Sequence, residues 1–218
     1  MQIQTRLAAR RRLLLAVPGL AALLLPGIGH ASARAAMATP SQGRGPFYPD
    51  RMPLDQDNDL TRLMPADDSD AAAAGDITDL TGRVLDVDGA PVPAALVEIW
   101  QCDANGRYIH SADRGGPPRD PGFQGYGKTL SGADGGYRFR TIRPVPYPGR
   151  APHIHVAVTA PGGRQLVTQL YVEGAPENDR DFLRRRLSAA EQAAVTAAFG
   201  PAGDGSGRLA ARFDIVLG

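Results

Sequence analysis

From Leu80 onward, apolar and polar positions alternate in short runs broken by glycine and proline, the period-two pattern of half-buried strands. LTGRVLDVDGAPVPAALVEIWQCD reads as two strands linked through Asp88-Gly89, Pro91 and Pro93, with Val97, Ile99 and Cys102 alternating against Glu98 and Gln101. GYGKTLSGADGGYRFRTIRPVPYP predicts a further strand pair that turns at Asp134-Gly135-Gly136, with Tyr137, Phe139 and Thr141 sharing one side. HIHVAVTAP forms another strand. In RQLVTQLYVEG, Val167, Gln169 and Tyr171 fall on one face and Leu166, Thr168 and Leu170 on the other. RLAARFDIVLG reads as a closing strand. Regularly spaced short strands with Gly/Pro turns predict a mainly β fold, a β-sandwich of antiparallel sheets.

The period changes near the C-terminus. Ser188 followed three residues later by Glu191 makes a capping box, and LSAAEQAAVTAAF carries helix formers as far as Gly200-Pro201, so one or two surface helices are expected. Residues 34–79 show little periodicity and are rich in Ala, Pro, Asp and Gly. They predict an irregular N-terminal arm lying over a domain of residues 80–218, docked by Phe47, Tyr48 and Leu54, with disorder of part of it as the alternative.

The first 33 residues have a different character. Arg6, Arg10, Arg11 and Arg12 precede an apolar stretch from Leu13 to Leu25 and a small-residue site, Ala31-Ser32-Ala33. That is the layout of a secretory signal peptide, and the paired arginines also suit the twin-arginine route. Pro18, Pro26 and the short apolar core argue against an uncleaved anchor. The expected location is periplasmic or secreted. Cleavage after Ala33 leaves one domain's worth of chain with 20 basic and 23 acidic residues, a balance that gives no basis for nucleic-acid binding. Cys102 is the only cysteine, so no intrachain disulfide forms, and it reads as a small buried apolar residue.

The densest candidate chemistry lies in PYPGRAPHIHVAV, residues 146–158. On a strand, His153 and His155 point to one side while Ile154, Val156 and Val158 point to the other. This spacing suits two ligands of one metal ion, although a solvent-facing pair or carbonyl-bonded core histidines have the same pattern. The sequence has no H-E-x-x-H helix and no cysteine cluster to complete a zinc site. Tyr147 and Arg150 are the nearest polar residues upstream, and Tyr108 sits in a Gly-flanked bend, DANGRYIH. A phenol with an ordinary pKa near 10 ionises only beside a strongly Lewis-acidic ion, for which ferric iron is the natural candidate. Trp100 reads as core, Tyr126 and Tyr137 as packing or pocket lining, and His110 as a residue outside the ligand set.

VEIWQCDANGRYIH, GYRFRTIRPVPYPGR, APHIHVAV and VTQLYVEG, with TPSQGRGPFYP near the start, together resemble the intradiol ring-cleavage dioxygenases, nearest the protocatechuate 3,4-dioxygenase group. The resemblance implies a non-haem Fe(III) ion held by Tyr108, Tyr147, His153 and His155, with Tyr147 leaving the metal when substrate arrives. It also implies that Arg150 and Gln169 line the substrate pocket. The implied reaction cuts a catechol-type ring between its two hydroxylated carbons, placing both atoms of O2 in a cis,cis-muconate-type diacid. Homo- or hetero-oligomer assembly is a further implication. Longer members insert a loop between the tyrosine and the arginine that this chain lacks, so the accepted ring substituents stay open. An exported non-catalytic β-sandwich binding module, or a same-fold oxygenase with a non-catechol substrate, are the alternative readings.

Overall fold

The structure, a computed structural model, describes residues 36–63 and 72–218. The leader predicted for residues 1–33 lies outside the described residues. The elements in order are β1 (Ile77–Asp86), β2 (Leu96–Trp100), β3 (Tyr126–Leu130), β4 (Gly136–Ile142), β5 (His153–Thr159), β6 (Gln165–Val172), helix α1 (Ala189–Ala194), β7 (Thr196–Ala197), β8 (Gly200–Pro201), β9 (Leu209–Arg212) and β10 (Ile215–Leu217). Short 3-10 turns at Pro176–Asp179 and Arg184–Arg186 join β6 to α1. One sheet is built on β1, with β4 on one edge and β9, β8 and β10 beyond the other. The second sheet has the order β3-β2-β5-β6-β7. Among the described residues, no helix is long and apolar enough to cross a membrane.

The two sheets face each other across one apolar core. Leu80, Val84, Phe139 and Ile215 from the first meet Val97, Ile99, Ile154, Val156, Val158 and Leu170 from the second, all essentially without solvent contact. These are the inward positions that the alternation predicts, and burying each such side chain contributes roughly 1.5–3 kcal/mol.

Pairing departs from the sequence-based expectation in three places. The β3–β4 segment is not a hairpin: β3 pairs with β2 and β4 with β1, so the Asp134-Gly135-Gly136 turn carries the chain between sheets. Alternation is the same for either partner, and the crossing is held by contacts the pattern does not show. Ser131 Oγ accepts from Ala95 N–H at 2.9 Å and donates to the Val92 carbonyl at 2.7 Å. Second, the sheets are mixed, not purely antiparallel. β9 and β10 run parallel to β1, and β7 runs parallel to β6. β9 and β10 keep one register against β1 (Thr78↔Leu209, Val84↔Ile215), so the closing strand is a single line. It is interrupted where the Asp214 carboxylate, 2.9 Å away, accepts from Arg83 N–H in place of a backbone carbonyl.

Third, the helix is shorter than predicted. Its capping box forms, with Ser188 N–H donating to Glu191 Oε2 at 2.8 Å. The helix nevertheless ends at Ala194, because Val195 is fully buried and its carbonyl accepts from Tyr171 N–H at 2.8 Å. Thr196–Ala197 then extends the β6 edge. Tertiary pairing overrides helix propensity here.

Of the three residues expected to dock the N-terminal segment, two pack and one does not. Phe47 and Tyr48 dock on the second sheet's outer surface, whereas Leu54 is wholly exposed and does not dock. Leu60 fills that role: it is fully buried, and its N–H donates to the Arg140 carbonyl at 2.8 Å.

Gly82 in β1 marks the tightest approach. A Cβ there would lie 1.8 Å from the Phe213 carbonyl oxygen, which also accepts from Tyr137 O–H at 2.6 Å. Gly82→Ala is expected to cost at least about 2 kcal/mol through backbone displacement, read as a lowered urea midpoint with an unchanged slope.

Candidate active site

The second sheet is covered on both faces, and its outer face carries the chemistry. Register aligns the residues in rows: Tyr126, Trp100, His155 and Gln169 lie side by side across β3, β2, β5 and β6, while His153 is paired with Tyr171. The Trp100 ring stacks on His155 with centroids 4.8 Å apart and planes 6° apart. Both histidines are about 1% exposed, which removes the solvent-facing reading of the pair.

His153 Nδ1 and the Ala151 carbonyl are 2.6 Å apart. A carbonyl only accepts, so this contact places the hydrogen on Nδ1 and leaves the Nε2 lone pair free. That Nε2 lies 3.1 Å from His155 Nε2 and 3.5 Å from the Tyr108 hydroxyl. Tyr147 completes the group: its ring is 5.5 Å from those of both Tyr108 and His153. The four residues singled out in the sequence therefore converge.

Both phenols arrive on loops. The loop after β2 is folded on Asp103, whose Oδ1 accepts from the N–H groups of Asn105 and Arg107. Asp113 Oδ2 then accepts from Tyr108 N–H at 2.6 Å, and Phe47 of the arm stacks on the Tyr108 ring at 5.0 Å. Tyr147 and Arg150 are bridged across a tight turn in which Gly149 takes φ 81°, a conformation that favours glycine. A second glycine marks where the arm touches the site. Gly45 has φ 75°, and a Cβ on it would sit 3.1 Å from the His155 ring.

Arg150 is held from three sides. Its Nε donates to Asp181 Oδ2 at 2.8 Å, its Nη1 to the Tyr147 hydroxyl at 3.4 Å, and its Nη2 to Gln169 Oε1. Gln169 is fixed in turn by donating to the Gly43 carbonyl at 3.2 Å and accepting from the Tyr171 hydroxyl at 3.3 Å. Asp181 is the residue that sequence reasoning missed. Fully buried, it also accepts from the N–H groups of Ala151, Leu183 and Arg184. No spacing signal joins it to Arg150, 31 residues earlier. A cavity of about 340 Å³ opens beside Tyr147 and Arg150, with Pro176, Glu177, Arg180 and Asp181 on its other wall.

The remaining candidates fall outside the cluster. His110 Nδ1 accepts from Ala112 N–H within its own loop. Tyr126 donates to Glu98 and Tyr137 to the Phe213 carbonyl. Cys102 is buried, and burial pushes its thiol up to about 12, so it stays protonated and inert.

The electrostatics suit neutral nitrogen ligands beside protonated phenols. Burial, with the Arg150 charge adding to it, lowers His153 to about 4; burial and the neighbouring His153 and Arg150 hold His155 well below the usual range. Both imidazoles are thus neutral donors. Burial raises both phenols, Tyr108 well above its usual value and Tyr147 less because Arg150 opposes the shift. Among the described residues, no group of three or more His, Cys, Asp or Glu is placed to hold a metal. Tyr108 and Tyr147 supply oxygen donors beside the two nitrogens, and among the described residues His155 Nδ1 has no hydrogen-bond partner. Two neutral nitrogens and two phenols that ionise only with strong compensation fit a hard, highly charged ion.

The family model described as Dioxygenase matches residues 44–218. The chain is 43% identical over 129 residues to the protocatechuate 3,4-dioxygenase beta chain of Burkholderia cepacia, covering 50% of this chain and 55% of that one. It is 37% identical over 162 residues to the hydroxyquinol 1,2-dioxygenase of Nocardioides simplex, covering 66% and 50%. The chain belongs to the intradiol ring-cleaving dioxygenase family. It spans about half the length of these curated relatives. Among solved structures, the dioxygenase domain of a dioxygenase–carbohydrate-binding fusion from Streptomyces sp. SirexAA-E superposes with TM-score 0.62 at 31% identity, covering 83% of this chain and 98% of that one. The hydroxyquinol 1,2-dioxygenase of Pseudomonas putida DLL-E4 gives 0.59 at 26% identity, covering 86% and 68%. The family likeness thus runs from Arg44 in the arm through both sheets and includes all of the clustered residues.

Two outcomes follow from the buried charges. His153 has a folded-state pKa below its unfolded value, so the stability it contributes is present above pH 6.5 and is lost as pH falls toward about 4. The metal-stripped chain is expected to lose about 2 kcal/mol from His153 alone between pH 7 and pH 5, measured by urea unfolding at each pH. Asp181→Asn leaves Arg150 without its buried counter-charge and is expected to cost about 3 kcal/mol, measured the same way at pH 7.

Proposed function

We propose that the protein cleaves a catechol-type ring between its two hydroxylated carbons, consuming O2 and yielding a cis,cis-muconate-type diacid. The observation that carries this reading is the meeting of His153 Nε2, His155 Nε2 and the Tyr108 hydroxyl at one buried point, with the Tyr147 ring 5.5 Å from those of Tyr108 and His153. These four residues would hold a non-haem Fe(III) ion. When bound, it supplies the Lewis acidity that keeps phenols ionised and draws electron density from a catecholate ring, opening that ring to dioxygen.

The chain's own residues divide the remaining work. Tyr108, 2% exposed and stacked under Phe47, is the fixed phenol. Tyr147 is only partly buried and borders the cavity, so it is the phenol free to swing and accept a proton from an incoming catechol hydroxyl. The Arg150 guanidinium, 3.4 Å from the Tyr147 hydroxyl, stabilises the negative charge that this proton transfer leaves on the substrate. Asp181 and Gln169 keep it aimed there without reorganisation. Trp100 and the arm close the opposite side against water.

The donor set also favours intradiol over extradiol cleavage. Extradiol chemistry suits Fe(II) held by two histidines and a carboxylate, and here no carboxylate joins the histidine pair among the described residues. The basic, apolar leader followed by Ala31-Ser32-Ala33 supports action outside the cytoplasm, on a domain of residues 80–218 carrying its N-terminal arm.

The test is the iron-loaded protein's visible spectrum together with the product formed from catechol under ¹⁸O2. Expected are a phenolate-to-iron absorption and a diacid carrying both labelled atoms. Tyr108→Phe should lower iron retention and weaken the absorption. An unchanged spectrum and iron content in that variant, or an extradiol aldehyde product, overturns the reading.

A further inference from the structure

The two imidazoles of the site are held in different ways. His153 is fixed through its own Nδ1, which donates to the Ala151 carbonyl at 2.6 Å. His155 has no such bond: its Nδ1 is buried and has no partner among the described residues. A metal-binding imidazole ordinarily takes its orientation from a hydrogen bond at the nitrogen that does not face the metal. On His155 the plane of the ring is set by something else.

Among the described residues, one ring lies parallel to it. Trp100 stacks at 4.8 Å with planes 6° apart, whereas the Tyr108 and His153 rings meet His155 edge-on at 65° and 75°. Strand register puts Trp100 directly opposite His155, so the stack follows from the β2–β5 pairing itself. Trp100 is wedged in turn. Tyr48 of the arm meets its ring edge-on at 5.0 Å, and the hydroxyls of Tyr48 and Tyr126 both donate to Glu98 Oε1, at 2.9 Å and 2.6 Å. Glu98 stands two residues before Trp100, on the same face of β2. Gly45 closes in on the His155 ring from the arm, where a Cβ would lie 3.1 Å from Cε1.

The indole's own polar group does not account for its place. Trp100 Nε1 is buried with no hydrogen-bond partner among the described residues, a desolvation cost that a hydrocarbon ring would not carry. What the position uses is the broad, flat face.

We propose that Trp100 is a positioning residue: its stacked face sets the plane of His155, in place of the hydrogen bond that His153 has. It thereby keeps His155 Nε2 beside that of His153, 3.1 Å away, where both can serve one ion. This inference rests on the ring-cleaving reading above and deepens it, because it says how that site holds its second nitrogen ligand.

The test compares the wild-type protein with Trp100→Leu, Trp100→Phe and Ile99→Ala, the last removing core packing on the opposite face of β2. In the metal-free wild-type protein, ¹⁵N-labelled at histidine, the His155 ring resonances are expected to be sharp and shifted upfield by the indole face. Trp100→Leu should lose that shift and broaden those lines. Loaded with iron, the same variant should release Fe(III) to a chelator about tenfold more readily, and the high-spin ferric EPR signal should broaden. Trp100→Phe keeps a flat face and should restore most of both properties. Ile99→Ala should leave them unmoved although it lowers stability. Wild-type iron retention and EPR line shape in Trp100→Leu, or equal broadening in Ile99→Ala, overturn the inference. Where Trp100→Leu does not fold, unshifted or averaged His155 resonances in the wild-type protein overturn it. A wild-type protein that takes up no iron with phenolate absorption overturns the ring-cleaving reading, while the His155 resonances of the metal-free variants still decide the role of Trp100.

Discussion

Strand β5 is buried on both faces, and the rest of the molecule is arranged around that constraint. One face belongs to the inter-sheet core through Ile154, Val156 and Val158. The other presents two imidazoles that burial keeps neutral, with their Nε2 atoms 3.1 Å apart. A polar face inside a protein is costly unless each donor and acceptor has a use. Here the Ala151 carbonyl fixes one ring, Trp100 stacks on the other, and the two Nε2 atoms meet beside the Tyr108 hydroxyl. The arm, the loop after β2 and the turn before β5 all serve to roof this face.

Arg150 extends the same logic outward. A guanidinium this buried is tolerable because Asp181 neutralises it and Gln169 takes a second N–H. Burial lowers its pKa, yet the bonded Asp181 carboxylate more than offsets that, so it stays charged. Burial likewise raises Asp181, and the Arg184 N–H and the Arg150 guanidinium outweigh it, keeping the carboxylate ionised. The pair is a fixed dipole at the wall between the neutral imidazoles and the cavity. Its cation faces the place where negative charge develops and its anion faces away, the preorganisation on which electrostatic catalysis depends.

The arm is tied to this network by contacts that reach single atoms. Gln42 donates to the Tyr171 hydroxyl, which donates to Gln169; the Gly43 carbonyl accepts from Gln169; and Gly45 passes where no side chain fits beside His155. Hydrogen bonds thus run from the arm through Gln169 to Arg150. A segment without regular structure, residues 42–45, is thus tied down by polar groups that end on the site itself.

The sequence by itself determined what depends on nearest neighbours along the chain. Period-two alternation put His153 and His155 on one side of a strand and the aliphatics on the other, and it marked the faces of β6 correctly, because side-chain direction in a strand follows parity alone. The capping box at Ser188 and Glu191 was legible for the same local reason. Tyr108, Tyr147, Arg150 and Gln169 were found by likeness to a family, since spacing alone left several readings open. Only the tertiary structure decided which strands became partners: β3 and β4 are adjacent in sequence yet enter different sheets, and Val195 halts a helix because the β6 edge needs its carbonyl. It also decided that Leu60 and not Leu54 anchors the arm, and that Asp181 completes the site. Those outcomes turn on contacts between residues tens of positions apart, and a one-dimensional pattern carries no record of distance in space.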